Sequence, residues 1–214
     1  MEMVSMVRRD QNPPVATSQP CGVFTTQQGQ TRIPLKGQRE LRRGRFSQKN
    51  AFYFITTCCY KKQKIFTERE NVEFLDEALQ WLQGNGYIDL YFYIAMPDHV
   101  HLVFQLTGDK DLSQLMKSLK QYTGRRIRSR MGSDLRIWQA QYYEHRIRKG
   151  EDLKEIMRYC WYNPVRAGIV ADPRDYPFWW KNRSLPSSIF HPPSVGAASQ
   201  PRSTRYGGGE SVWS

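Results

Sequence analysis

His99 and His101 stand two residues apart in the run HVHLVFQL, and imidazole is both a common metal ligand and an acid or base near neutral pH. Side chains alternate along an extended strand. His99, His101, Val103 and Gln105 therefore share one face, and Val100, Leu102, Phe104 and Leu106 share the other, which reads as core. Two imidazoles on neighbouring positions of one face can offer nitrogens to a single cation, but two ligands do not complete a site, and a surface pair fits the same pattern. A third donor must come from elsewhere. In GEDLKEIMRYCWYNP, Leu153, Ile156, Met157 and Cys160 form an apolar stripe. At about 100° per residue, Asp152, Tyr159 and Asn163 fall within about 40° of one another on one edge of that stripe, so a phenol and an amide emerge side by side. Pro164 is expected to end this helix. A boundary tyrosine with its ring buried and an asparagine cap fit the pattern equally.

The elements that must carry these residues follow from periodicity. AFYFITTCC, residues 51–59, is β-branched and aromatic and predicts a strand, and residues 67–84 place Val72, Leu75, Ala78, Leu79 and Leu82 at helical spacing before the stop signal Asn85-Gly86. Residues 87–96 predict a second strand, Pro97-Asp98 a turn, and residues 99–106 a third strand antiparallel to the second. Residues 112–130 form a basic helix with Leu112, Leu115, Met116, Leu119 and Ile127 apolar, residues 142–147 a fourth strand, and residues 151–162 the last helix. The order βαββαβα predicts an α+β fold of the ferredoxin-like (split βαβ) kind: an antiparallel sheet with helices on one face plus an additional C-terminal helix carrying the tyrosine. The aromatic run Tyr91-Phe92-Tyr93 lacks the glycine-aromatic signature of RNA-recognition modules and reads as core.

Charge points to the partner. Lys and Arg number 32 against 20 Asp and Glu, a net +12 with a pI near 9.7, which favours a polyanion. No run approaches the roughly 18 apolar residues of a membrane span, so no membrane partner is expected. The first twenty residues lack the continuous apolar segment of a signal peptide, so the cytoplasm is expected and nucleic acid becomes the favoured partner. Cys21, Cys58, Cys59 and Cys160 show no C-x-x-C spacing and read as reduced thiols. The expected division is a polar and basic N-terminal tail and arm over 1–38, a folded catalytic domain over 39–183, and a Ser/Gly/Pro-rich tail over 184–214, both tails irregular or disordered. The basic arm, residues 32–49, includes Arg39, Arg42 and Arg43; phosphate-facing candidates in the folded part are Lys117, Lys120, Arg125, Arg126, Arg128 and Arg130 on the second helix, and Arg146, Arg148 and Lys149 after it. A solvated arm and a solvated helix face would look the same.

Three stretches, MPDHVHLVF (96–104), QAQYYEHRIR (139–148) and YCWYNPVRAGIV (159–170), resemble in order and spacing the REP-associated tyrosine transposases, relatives of the His-hydrophobic-His insertion-sequence transposases; the likeness covers about residues 39–180. The resemblance implies that Tyr159 is the nucleophile and that His99, His101 and Asn163 hold a divalent metal, Mg²⁺ or Mn²⁺, with Gln in related enzymes at the place of Asn163. His145 and Glu144 fall in the second motif as candidates for active-site support, His145 orienting the phenol or DNA or only packing. The implied reaction is metal-dependent cleavage and strand transfer of single-stranded DNA at REP-like hairpins through a 5′-phosphotyrosine. The protein would act as a monomer or homodimer in the bacterial cytoplasm, associated with the nucleoid. Two other functions fit the residues: a catalytically silent DNA- or RNA-binding module, and a metal nuclease in which water attacks.

Overall fold

The computed structural model describes residues 47–148 and 152–190. β1 (Phe52–Cys58), α1 (Arg69–Gly84), β2 (Ile88–Met96), β3 (His99–Leu106), α2 (Leu112–Met131), β4 (Tyr143–Ile147), α3 (Leu153–Trp161), α4 (Asn163–Arg166) and β5 (Trp179–Lys181) follow in that order. The five strands line up as β4-β1-β3-β2-β5, every neighbouring pair antiparallel. The first six elements are thus the split βαβ arrangement expected from the sequence. Among the described residues no helix is long and apolar enough to cross a membrane.

Period-two alternation gives the sheet two apolar faces, and each is covered. Ile55, Leu90, Val100, Leu102 and Phe104 meet the stripes of α1 (Val72, Leu75, Leu79, Leu82) and α2 (Leu115, Met116, Leu119, Ile127) on one side. Phe54, Phe92, Ile94 and Val103 meet Ile156, Met157, Cys160 and Trp161 of α3 on the other. The additional helix therefore packs opposite α1 and α2. α2 starts on a capping box in which Asp111 accepts from Gln114 N and ends at Gly132, whose φ of 58° suits a residue without Cβ. In Tyr91-Phe92-Tyr93, Phe92 and Tyr93 are buried, as expected of core.

Three expectations change. α3 stops at Trp161, and Pro164 sits at the start of the next turn, α4, where a missing N–H costs nothing, so it begins a helical turn instead of ending one. β5 pairs Trp179 with Ile94 and Lys181 with Phe92, a strand of three residues that is too short to show periodicity. The folded part also reaches past residue 183: Ile189 and Phe190 are buried, and Phe190 packs against Phe92, Trp161 and Trp179 at ring-centroid distances of 5.6, 5.6 and 5.5 Å. Two apolar residues suffice to dock a segment whose composition is otherwise that of a tail. The described cysteines, Cys58, Cys59 and Cys160, are buried and form no disulfide with one another.

Candidate active site

The two-residue turn Pro97-Asp98 sets His99 at the very start of β3, opposite Met96 of β2 and Cys58 of β1, and the next same-face position sets His101 opposite Ile94 and Thr56. His101 is 6% exposed, with Phe54 stacked on its ring at 5.5 Å. The two rings stand at 83° to each other and bring their Nε2 atoms to 3.2 Å. Each opposite ring nitrogen is tied down. His99 Nδ1 meets Asp98 Oδ1, whose partner oxygen lies 3.4 Å from Lys62 Nζ, and His101 Nδ1 meets Thr56 Oγ1 at 2.8 Å. Burial alone would raise the Asp98 carboxyl, but the hydrogen bond and charge of His99 and the charge of Lys62 outweigh it and hold the group below the usual carboxylate range. Burial, with the charges of His99, Arg166 and Lys62 adding to it, drives the His101 pKa well below that of a free imidazole, so this ring is neutral.

Asn163, at the start of α4, completes the cluster from the opposite layer. Its side-chain amide lies 2.7 Å from His101 Nε2 and 3.3 Å from His99 Nε2. As drawn, Nδ2 donates; a half-turn of the amide presents Oδ1 to the same point. Two nitrogens held 3.2 Å apart span one edge of a coordination sphere with bonds of about 2.1 Å. Lone pairs converging on one point, each backed by an acceptor on the far side of its ring, suit a divalent cation. Among the described residues no three His, Cys, Asp or Glu side chains gather as a metal site, so the amide is the third donor that this set needs.

Tyr159 projects half-buried from α3, one turn before Asn163, while Ile156, Met157 and Cys160 of the same helix point into the sheet. The Arg166 guanidinium stacks 3.8 Å from the centre of its ring and donates through Nη2 to the Tyr159 carbonyl oxygen at 2.7 Å. His145, paired with Phe54, shares the sheet face of the two imidazoles, one row along. Glu144 does not. It pairs with Ile55, whose side chain enters the α1–α2 core, so alternation turns Glu144 to the far side of the sheet and removes it from direct support of the site. Thr56, Lys62, Asp98 and Arg166 were not singled out from sequence. Asp98 adjoins His99, and Arg166 lies seven residues beyond Tyr159 on the same helical face, so both left a signal; Thr56 and Lys62 enter only through the register of β1 and the turn that follows it.

The basic residues divide by structure. Lys120 Nζ donates to Gln139 O at 2.9 Å and Gln141 O at 3.0 Å, so this ammonium pins the segment before β4. Arg126 lies over Phe74 and 3.8 Å from Glu77, Arg130 donates to Asn71 Oδ1, and Arg146 donates to Gln48 Oε1. Lys117, Arg125 and Arg148 are exposed; Arg39, Arg42, Arg43 and Lys149 lie outside the described residues. Lys117, Lys120, Arg125, Arg128 and Arg136 line a groove of about 740 Å³ between α2 and residues 136–142, on the α2 side of the sheet. Its wall is joined to the histidine end of β1, where Gln139 N donates to Cys58 O at 2.9 Å and Cys59 bridges Trp138.

Comparison with known proteins agrees with this architecture. Residues 47–162 match the family model described as Transposase IS200 like. An Escherichia coli REP-associated tyrosine transposase is 24% identical over 142 residues, 65% of this chain and 81% of its own length, and a Haemophilus influenzae protein assigned the same name is 28% identical over 155 residues, 66% of this chain and 86% of its own length. The structure of a REP-associated tyrosine transposase bound to a REP hairpin superposes with a TM-score of 0.56 at 23% identity, covering 79% of this chain and 97% of that one, a likeness of fold. The resemblance noted in the three motifs is therefore borne out, and this chain is an enzyme of the IS200-like transposase family.

Proposed function

We propose that the chain cleaves and rejoins single-stranded DNA beside a hairpin, with Tyr159 as nucleophile. The observation that carries this reading is the meeting of His99 Nε2, His101 Nε2 and the Asn163 amide, with the Tyr159 phenol one helical turn from Asn163. A structural tyrosine and a capping asparagine would have no use for that convergence. Mg²⁺ or Mn²⁺ bound to the three donors would polarise a non-bridging phosphate oxygen and offset charge in the transition state. The chain's own residues prepare the reaction: Asp98 and Thr56 hold the two imidazoles by Nδ1 so that both Nε2 lone pairs face inward, and Tyr159 stands one helical turn before Asn163. Tyr159 Oη bonds to phosphorus as the bond to the 3′ oxygen breaks, leaving a 5′-phosphotyrosine and, after proton uptake, a free 3′-hydroxyl; rejoining is the reverse and requires no nucleotide cofactor.

The DNA partner is a single strand carrying a REP-like hairpin, supported by the hairpin-bound relative of like fold and by the basic groove on α2. The net charge of +12 suits work on DNA of the bacterial nucleoid. A denaturing gel tests the reading: purified protein, labelled single-stranded hairpin DNA and Mn²⁺ give a covalent adduct mapping to Tyr159, and Tyr159→Phe loses adduct and cleavage while retaining hairpin and metal binding. A binding module would cut nothing, and a water-attacking nuclease would still cut with phenylalanine in place. Cleavage by Tyr159→Phe near the parent rate, or an adduct on Tyr162, overturns the assignment.

A further inference from the structure

We infer that Arg166 binds the phosphodiester that Tyr159 attacks, one guanidinium serving both to seat the nucleophile and to hold its target; this rests on Tyr159 being the nucleophile. Tyr159, Asn163 and Arg166 follow at spacings of four and three residues across α3 and α4, so they rise in successive turns on one helical face. α4 is short but firmly held. Ala167 N donates to Asn163 O at 2.9 Å and Gly168 N to Val165 O at 2.9 Å, and Gly168, with φ of 67°, follows the C-cap Ala167 and ends the turn.

The guanidinium uses one N–H on the Tyr159 carbonyl and lies over the ring, its Cζ 3.8 Å from the ring centre. Four of its five donors remain for other partners. Lys62 is engaged by the Asp98 carboxylate, whereas among the described residues no carboxylate pairs with Arg166, which is exposed. A cation that no carboxylate neutralises, lying over the nucleophile's ring, is a seat for an anion. A guanidinium carbon 3.8 Å directly above the ring centre lies roughly 4.7 Å from the phenolic oxygen, a gap that one phosphate in attack contact at about 3–3.5 Å would bridge. Holding the α3–α4 junction needs only the bond to the carbonyl. Stacking on the phenol adds nothing to that junction, and it places the charge where the phosphate must come. In the attack one P–O bond forms and one breaks, so the phosphate stays singly negative in substrate and product. The extra charge carried by its non-bridging oxygens in the transition state is what a planar, two-pronged donor stabilises.

The experiment pairs Arg166→Ala, Arg166→Lys and parent, as full-length proteins, with two labelled hairpin strands: one with the natural phosphodiester at the mapped cleavage position and one with a neutral methylphosphonate there. Single-turnover formation of the Tyr159 adduct in Mn²⁺ is the readout, with calorimetric Mn²⁺ binding and circular dichroism as checks on the site and the fold. On the phosphodiester, Arg166→Ala is expected to slow adduct formation by about 10- to 100-fold, and Arg166→Lys by less, since the charge stays and the fork is lost. On the methylphosphonate the deficit of Arg166→Ala should shrink to under about threefold, because the charge that Arg166 answers is gone. A deficit of equal size on both strands would mean that Arg166 only shapes the helix junction, and an Arg166→Ala rate equal to parent would remove it from the reaction; either overturns the inference and leaves Tyr159 standing. A parent that forms no Tyr159 adduct overturns the nucleophile assignment and this inference together.

Discussion

Thr56→Val probes the least visible part of the site. Thr56 and His101 are 2% and 6% exposed, and Thr56 Oγ1, at 2.8 Å, is the hydrogen-bond partner of His101 Nδ1 among the described residues. Valine keeps the β-branched shape that a strand favours and deletes only the hydroxyl oxygen. The imidazole then has two poor choices. It can keep Nδ1–H without an acceptor, which for a buried donor costs about 1–3 kcal/mol and, at about 2–4 °C per kcal/mol for a domain of this size, lowers Tm by about 2–12 °C. Alternatively it moves the proton to Nε2, which then faces the Asn163 amide and the His99 ring with a hydrogen where a lone pair was. Both choices weaken the converging set. Loss of a partner that orients a ligating histidine lowers metal affinity by about 10- to 100-fold, about 1.4–2.7 kcal/mol. Calorimetric titration of Mn²⁺ into parent, Thr56→Val and Thr56→Ser, alongside thermal melts, reads both quantities, and the serine variant should restore most of the affinity. If Thr56→Val binds Mn²⁺ within about twofold of parent at an unchanged Tm, the hydroxyl does not orient His101 and the proposed donor set loses its support from β1.

Other outcomes follow from the same geometry. His99→Ala or His101→Ala should abolish cleavage while hairpin affinity, supplied by basic residues elsewhere, stays within about threefold by electrophoretic shift; unchanged Mn²⁺ binding in the double variant would take both residues out of the site. Lys120→Met should cost about 1–3 kcal/mol in urea unfolding by leaving Gln139 O and Gln141 O without their donor, with the salt dependence of hairpin binding unchanged, whereas Lys117→Ala and Arg125→Ala should each flatten that dependence by about one unit of slope and barely touch stability. The reverse pattern would refute the division of the basic residues. Phe190→Ala should cost about 3–5 kcal/mol because the ring is buried among Phe92, Trp161 and Trp179; a loss under about 1 kcal/mol would return residues 184–190 to the tail.

Whatever depends on one element's own period was legible in the chain before it folded. Val100, Leu102, Phe104 and Leu106 had to face one way and His99, His101 and Val103 the other, because alternation along a strand is local, and all of them lie where that period puts them. The stripes of α1, α2 and α3 and the order βαββαβα were legible for the same reason, and the three motifs carried the family. Tertiary structure alone decided what stands opposite each face. Asn163 meets histidines 62 and 64 residues away only because α3 covers the sheet face that α1 and α2 leave open. Thr56 reaches His101 because β1 pairs with β3 in one register; a shift of one residue would turn every side chain of β1 to the other face and remove the hydroxyl. That same pairing rule turned Glu144 away from the imidazoles although it adjoins His145 in sequence. Lys120 looked like its basic neighbours on α2, and only the return of the chain into β4 brought up the carbonyls of residues 139 and 141 that its ammonium holds. Charge and spacing are properties of a residue and its neighbours in the chain, whereas hydrogen-bond partners across layers are created when distant segments close on one another, and most of the chemistry at His99, His101 and Asn163 is built from such partners.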